Sequence, residues 1–256
     1  ADTSGNGLDA TLVNGASAAL VADADGGTAL DLPGGGPSST GAYLRLPPQI
    51  LVGQTDLTVS IRVRWAGTTT PWQWIYALGT DTNRYLFSTP YHGEGRLRSA
   101  VTVSGGGGEA QVTGSAALPA GVWRTLTVTL DTSADRLTTY LDGAAVASAA
   151  TPVRASELID PSAALAGYLG RSFYADPLFD GAVGDFQVYG VALSADQVAL
   201  IHGGVVPTPV DLNQQAFDLR TTIGTPPRLP ATVAATFTDG YPREVPIAGS
   251  AVDPAA

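Results

Sequence analysis

Cysteine and lysine are both missing from this 256-residue chain. Without cysteine there is no disulfide framework and no thiol nucleophile, and the redox state of the compartment leaves no mark on the sequence. Without lysine, all thirteen cationic side chains are arginine, set against 23 acidic ones, for a formal net charge of −10. Such a surface repels phosphates, which argues against nucleic acid as a partner. No apolar run approaches the ~20 residues that a membrane-spanning helix requires. Nor does a basic segment followed by an apolar one open the chain, so no signal peptide is read there.

What is abundant is glycine, proline and short alternating segments. Thr58 to Trp65 places Val59, Ile61, Val63 and Trp65 on one face and Ser60, Arg62 and Arg64 on the other, the period-2 signature of a half-buried strand. Arg124 to Leu130 repeats it with Leu126, Val128 and Leu130. Arg136 to Val146 reads as a hairpin turning at Asp142-Gly143, a pair that tolerates positive φ. The glycine run 105–108 connects strands around Val101 and Val112; no Lys-Ser/Thr follows it, so it is not a phosphate loop. Many short strands at regular spacing predict an all-β sandwich or barrel. About 200 residues bury roughly 70% of their unfolded surface, enough to dispense with cross-links.

The most telling stretch runs from Tyr168 to Ile201. A strand over roughly Val183 to Tyr189 directs Phe186 and Val188 to one side and Asp185, Gln187 and Tyr189 to the other. A short helix then starts near Ser194, with Gln197 three residues on in capping-box spacing and Gly203-Gly204 as the stop.

This ending resembles the closing strand and helix of laminin-G-like domains, which are jelly rolls of the concanavalin type. The matching positions are Gly181, Gly184-Asp185, Phe186 to Tyr189 and Leu193-Ser194. Asp2 to Gly7 (DTSGNG) is similar to the family's Asp-x-Ser-Gly-Asn-Gly loop. Trp72 to Ala110 resembles the middle of the version found beside secreted bacterial glycosidases, and Gly121 to Gly143 its Trp strand and Asp-Gly hairpin. The resemblance implies a two-sheet antiparallel jelly roll with a short terminal helix over residues 1–204. A linker over 205–217 follows, then 218–256, which resembles the opening of a bacterial immunoglobulin-like module through Thr222, Gly224, Pro226, Leu229-Pro230 and Asp239-Gly240. Gly249 stands where such modules usually carry Trp. Since the laminin-G-like pattern begins at its early loop and the second module is partial, the chain is expected to be a piece of a longer protein. The resemblance implies a secreted, extracellular location. The excess of Ala, Gly, Val and Asp with no lysine fits a GC-rich genome such as an actinobacterium's.

The residues suggest three kinds of site. For sugar binding, apolar C–H faces of a sugar stack on aromatic rings while its hydroxyls seek amides, carboxylates and guanidinium groups. Trp72, Trp74 and Tyr76 alternate and would line one face of a strand. Tyr85, Tyr91, His92, Glu94, Arg96 and Arg98 lie on nearby segments. The competing reading is that these aromatics pack the core or a sheet edge. For calcium, Asp2, Asn6 and the carbonyls of the 5–7 turn offer the oxygens that Ca²⁺ takes. Family resemblance adds Asp185, since related domains hold calcium near their two ends; an Asx turn is the alternative. For catalysis, the carboxyl pair of a glycosidase has few glutamates to draw on: Glu94, Glu109, Glu157 and Glu244 are all there are. The Glu-x-Asp-x-x-Glu pattern of catalytic jelly-roll glucanases is missing, and neither His92 nor His202 is accompanied by a Gly-x-Ser-x-Gly elbow.

The expected role is therefore a non-catalytic accessory module, carbohydrate-binding or structural, of a secreted bacterial carbohydrate-active enzyme, partnered by a polysaccharide or by the catalytic domain. The alternatives are an integral piece of a larger arabinofuranosidase or xylosidase of glycosidase families 43 and 127, and an adhesion module for cell-wall glycan or protein.

Overall fold

The computed structural model describes residues 1–23, 26–37, 40–203, 209–212, 230, 232–237 and 242–246. It divides into two compact units, Ala1–Val198 and Ala199–Ala256. In chain order the strands of the first unit are β1 (Thr11–Val13), β2 (Ala19–Ala22), β3 (Thr28–Gly35), β4 (Tyr43–Leu46), β5 (Leu57–Trp65), β6 (Tyr76–Gly79) and β7 (Tyr85–Thr89). They continue with β8 (Arg98–Thr102), β9 (Ala110–Thr113), β10 (Arg124–Asp131), β11 (Arg136–Leu141), β12 (Ala144–Ala150), β13 (Gly167–Leu169) and β14 (Leu178–Tyr189). Helix α1 spans Ala195–His202.

Among the described residues these strands make two seven-stranded antiparallel sheets, β1-β4-β13-β6-β7-β8-β9 and β12-β11-β10-β5-β14-β3-β2. The two sheets form the sandwich that the alternating segments predict. Val59, Ile61, Val63 and Trp65 of β5 and Leu126, Val128 and Leu130 of β10 are all buried between the layers, where they meet Tyr76, Leu78, Leu86, Val101 and Val112 of the facing sheet. Each such side chain, taken out of water, contributes about 1.5–3 kcal/mol of transfer free energy. The hairpin turn falls where it was expected, with Asp142 at φ 52° and Gly143 at φ 78°.

The last strand is longer than its sequence signature, and it is bulged. Its pairing with β5 shifts between Gly184 and Gln187, and Asp185 adopts φ 43° at the shift. Phe186 and Val188 still reach the core. The capping box closes as its spacing predicts: Ser194 N–H donates to Gln197 Oε1 at 2.8 Å, and Gln197 N–H donates to Ser194 Oγ at 3.3 Å. Thr58 ties this end to β5, donating to the Val191 carbonyl at 2.7 Å and accepting from Leu193 N–H at 2.9 Å.

In the second unit, β15 (Pro209–Leu212), β16 (Thr232–Phe237) and β17 (Pro242–Pro246) form a three-stranded antiparallel sheet in the order β15-β16-β17. Part of the segment read as linker, 209–212, is thus a strand. Thr222, Gly224, Pro226, Leu229, Asp239-Gly240 and Gly249 lie outside the described residues.

Candidate functional site

β7 is buried along its whole length, although it sits inside a sheet with one face turned away from the sandwich core. Leu86 points inward to the core, whereas Tyr85 and Phe87 point outward and form a second apolar cluster with Trp74, Ala77 and Ala100. That cluster is roofed by the irregular segment ahead of β6 and by the loop after β13, which contribute Trp72 and Phe173. Trp74 is the keystone. Its ring stacks on Phe87 at 3.9 Å and 12°, and meets Tyr85 at 5.2 Å and Tyr174 at 5.9 Å. Such contacts are worth about 0.5–1.5 kcal/mol each beyond area burial.

The roof is incomplete. Trp72, Trp74, Tyr85, Phe87 and Tyr174 line a cleft of about 410 Å³, with Arg98, Glu109, Gln111 and Asp176 as its polar wall. A volume in the ~300–1,000 Å³ range, a largely aromatic floor and a few convergent polar groups are the usual makeup of a small-ligand site. Strand register places the wall: Arg98 pairs with Thr89 and Gln111 with Ala100, so both side chains stand on the outward face beside Phe87.

Most polar groups here are held by one another. Tyr85 donates its hydroxyl to Glu109 Oε1 at 2.6 Å, and Gln111 Nε2 donates to Glu109 Oε2 at 2.8 Å. Burial first, and then the Glu109 carboxylate, hold the Tyr85 phenol far above its ordinary range, so it stays a neutral donor. Tyr174 donates to the Thr82 carbonyl at 2.9 Å, fixing the loop over the cleft. Asp176 accepts from Ser172 Oγ at 2.8 Å, and burial raises its carboxyl above the usual range. The buried indole N–H of Trp74, by contrast, has no protein acceptor among the described residues.

Trp72 is held in an unusual conformation. Its φ of 66° lies in the left-handed region, which a bulky L residue seldom adopts. Its N–H donates to the Tyr91 carbonyl at 3.0 Å. The guanidinium of Arg98 lies 5.7 Å from its ring centre, and the His92 ring lies 5.9 Å away. A backbone so placed costs about 1–3 kcal/mol and persists only where its surroundings enforce it. Here they set a half-buried indole at the cleft wall.

Of the nine side chains singled out for sugar binding, four line the cleft: Trp72, Trp74, Tyr85 and Arg98. The shared face expected for Trp72, Trp74 and Tyr76 is not formed. β6 starts only at Tyr76, so strand alternation does not extend back to the tryptophans. Tyr76 is fully buried in the sandwich core, where the Ser88 hydroxyl donates to its phenol oxygen at 2.8 Å. Tyr91 packs against the same core, 5.8 Å from Trp65. His92 is 1% exposed and accepts from Glu94 N–H through Nδ1 at 3.2 Å. Its burial, and then the Arg98 charge, lower its pKa, which keeps the ring neutral. Arg96 pairs with Glu94 at the surface. Phe87, Gln111, Tyr174, Asp176 and Glu109, which complete the cleft, carry no local sequence signal; register and loop path bring them in.

The loop expected to hold calcium makes hydrogen bonds of its own. Asp2 accepts from Ser4 N–H at 2.8 Å, Ser4 Oγ at 2.9 Å and Leu8 N–H at 2.9 Å, an Asx turn. The Leu8 amide first, and then Ser4, lower its pKa to about 2. Asn6 donates to Ser4 Oγ at 2.9 Å, and Asp185 accepts from Gln187 Nε2 at 2.9 Å. Among the described residues no group of three or more His, Asp or Glu side chains gathers as a metal cage. Asp2, Asn6 and Asp185 thus each have a local hydrogen-bond partner.

The family model described as the concanavalin A-like lectin/glucanases superfamily, a laminin-G type, matches residues 38–199. The chain belongs to this superfamily. Residues 38–199 run from ahead of β4 into α1 and so take in every side chain of the cleft. No curated protein matches the sequence. Among solved structures, domain 4 of AbnA, an extracellular GH43 arabinanase of Geobacillus stearothermophilus seen with arabinotriose, is 22% identical, with a TM-score of 0.62. That likeness covers 77% of this chain and 90% of the other. The CBM40 of the Ruminococcus gnavus IT-sialidase, bound to α2,3-sialyllactose, is 15% identical over 73% of this chain and 97% of its own, with a TM-score of 0.51. A botulinum neurotoxin type C structure, half of which is covered, is 13% identical over 82% of this chain, with a TM-score of 0.56. At these identities what is shared is the superfamily's sandwich.

Proposed function

We propose that this superfamily member is a carbohydrate-binding accessory module, and that an oligosaccharide segment occupies the cleft over Trp74. The observation that carries the reading is the pairing of an aromatic floor with a wall of guanidinium, carboxylate and amide groups in one 410 Å³ opening. A sugar ring offers that combination in reverse, with an apolar face for Trp72 and Tyr174 and hydroxyls for Arg98, Glu109, Gln111 and Asp176. Trp72, set against Arg98 and His92, supplies a rigid stacking surface that costs little ordering entropy on binding.

Further support comes from the company that such domains keep. AbnA domain 4 and the CBM40 belong to glycan-degrading enzymes, and both were solved with oligosaccharides. On that footing the chain serves a secreted bacterial carbohydrate-active enzyme, keeping a catalytic domain near its polymer and raising local concentration without touching the chemistry. Residues 218–256 would contribute an immunoglobulin-like module, a reading that the antiparallel β16–β17 pair supports.

The test is binding of the whole chain to soluble arabinans, xylans, galactans and their acidic counterparts, with Trp72→Ala as the probe. At least one polysaccharide is expected to bind, and the variant to bind at least tenfold more weakly at an unchanged melting temperature, the scale of a buried aromatic hot spot of about 2 kcal/mol. Failure to bind any of them would overturn the reading.

A further inference from the structure

The outward face of the same sheet continues past the cleft. Strand register aligns Gln111, Ala100, Phe87, Ala77, Tyr168 and Arg45 in one transverse row. Residues directly opposite one another share a face, so Tyr168 and Arg45 stand on the side that carries the cleft. At ~4.8 Å between strands, β4 lies about 14 Å from β7.

The far end of the row is built from tyrosine and arginine. Tyr168 meets Tyr43 edge-on at 5.6 Å and Phe173 at 5.4 Å, and Phe173 in turn packs on the Trp74 cluster. The guanidinium of Arg171 lies 4.7 Å from the Tyr43 ring centre and 5.6 Å from that of Tyr168. Stacked this way, a guanidinium has its flat face satisfied and its N–H edges left for a ligand. Tyr43, Tyr168 and Arg171 are half-buried and Arg45 is exposed.

Charge bookkeeping makes this shelf unusual. Acidic side chains outnumber arginines by 23 to 13, and Arg64, Arg96 and Arg124 each have a carboxylate partner. Among the described residues neither Arg45 nor Arg171 has an ion-pair partner or a side-chain hydrogen bond. Two unpaired guanidiniums around one tyrosine, on a protein of net charge −10, form a local positive site. The chemistry that fits it is a carboxylate, held by paired N–H donors.

We infer that the Tyr43–Tyr168–Arg45–Arg171 shelf is a second subsite for a carboxylate-bearing sugar unit, so that the face as a whole favours an acidic polysaccharide. The inference rests on the carbohydrate reading of the cleft and names the glycan class it would take. The shelf supplies charge recognition, and the cleft supplies stacking that is indifferent to charge.

Biolayer interferometry on immobilised xylan, glucuronoxylan, galactan and polygalacturonan tests this, using the whole chain and Arg45→Gln and Arg171→Gln, singly and together. Arg45→Gln removes an exposed side chain with no partner, so it leaves the fold intact even if Arg171→Gln does not. Expected is at least tenfold tighter binding to an acidic polymer than to its neutral counterpart. That preference should be lost in the double variant, reduced in Arg45→Gln and weakened as salt rises from 50 to about 500 mM. Equal affinity of the wild type for neutral and acidic polymers, or an acidic preference unchanged in Arg45→Gln and in the double variant, would overturn the subsite and leave the cleft reading standing. No binding to any of the four would overturn the subsite, and the cleft reading falls with it only if arabinan also fails to bind.

Discussion

Trp72, Trp74 and Tyr76 alternate in sequence yet have three different fates: a strained wall, a stacked floor and a core residue. The alternation rule holds for extended strands, and these residues straddle the point where an irregular segment becomes β6. His92 shows the same limit from the other side. Read as one of the sugar-binding side chains, it is instead buried and neutral, with its Nε2 lacking a protein partner among the described residues. Because its folded pKa lies below the ordinary 6.5, the unfolded chain binds the proton more readily. The His92 contribution is therefore fully present above pH 6.5 and is lost as the pH falls from there toward the folded value. The raised carboxyls of Asp176 and Asp180 act with the opposite sign, so the comparison must be with His92→Gln, which can still accept from Glu94 N–H. Urea unfolding from pH 7 to pH 4.5 is expected to show the wild type losing stability relative to the variant as the pH drops. Parallel curves would mean that the ring is charged or exposed in the folded state.

Strands with polar residues on one face are legible, and a strand apolar on both faces is not. β5 and β10 alternate cleanly because their core-facing positions are aliphatic or aromatic while the opposite ones are Thr, Ser and Arg, although Thr58, Ser60, Thr127 and Thr129 are themselves buried, and the Asp142-Gly143 turn and the Ser194–Gln197 cap are marked by residues with little choice of conformation. β7 carries Tyr85, Leu86 and Phe87 in succession, apolar on both sides because both sides are covered, so its period disappears. The cleft depends on this doubly buried strand and on loops that no pattern flags. Its alignment with the Tyr168 row depends in turn on how closely β13 approaches β6. Gly167 sits at φ 123°, and a Cβ there would collide with the Ala77 carbonyl. Gly167→Ala is expected to destabilise the protein by about 3 kcal/mol, combining backbone strain with forced separation of the strands. Urea denaturation checks this; a change below about 1 kcal/mol would mean that the pair can open at little cost.

At the scale of the whole molecule, the two sheets divide their labour. The layer centred on β5 and β14 ties the closing helix to the core, while the other layer carries the cleft on its outer face. The fold class could be read from turn spacing and the closing motif, because both reflect constraints within a few dozen residues. The site draws on positions from Trp72 to Asp176, which only long-range pairing assembles. That placement also distributes the four indoles unevenly. Trp65 is sealed in the core, and Trp123 lies beneath the Arg64 guanidinium at 5.3 Å from its ring centre, but Trp72 and Trp74 both border the cleft. Half of the chromophores thus sit where a glycan would exclude solvent, giving the protein an intrinsic optical reporter. Titration with a bound oligosaccharide should blue-shift or quench the emission, and Trp72→Phe should blunt that response while Trp123→Phe leaves it unchanged.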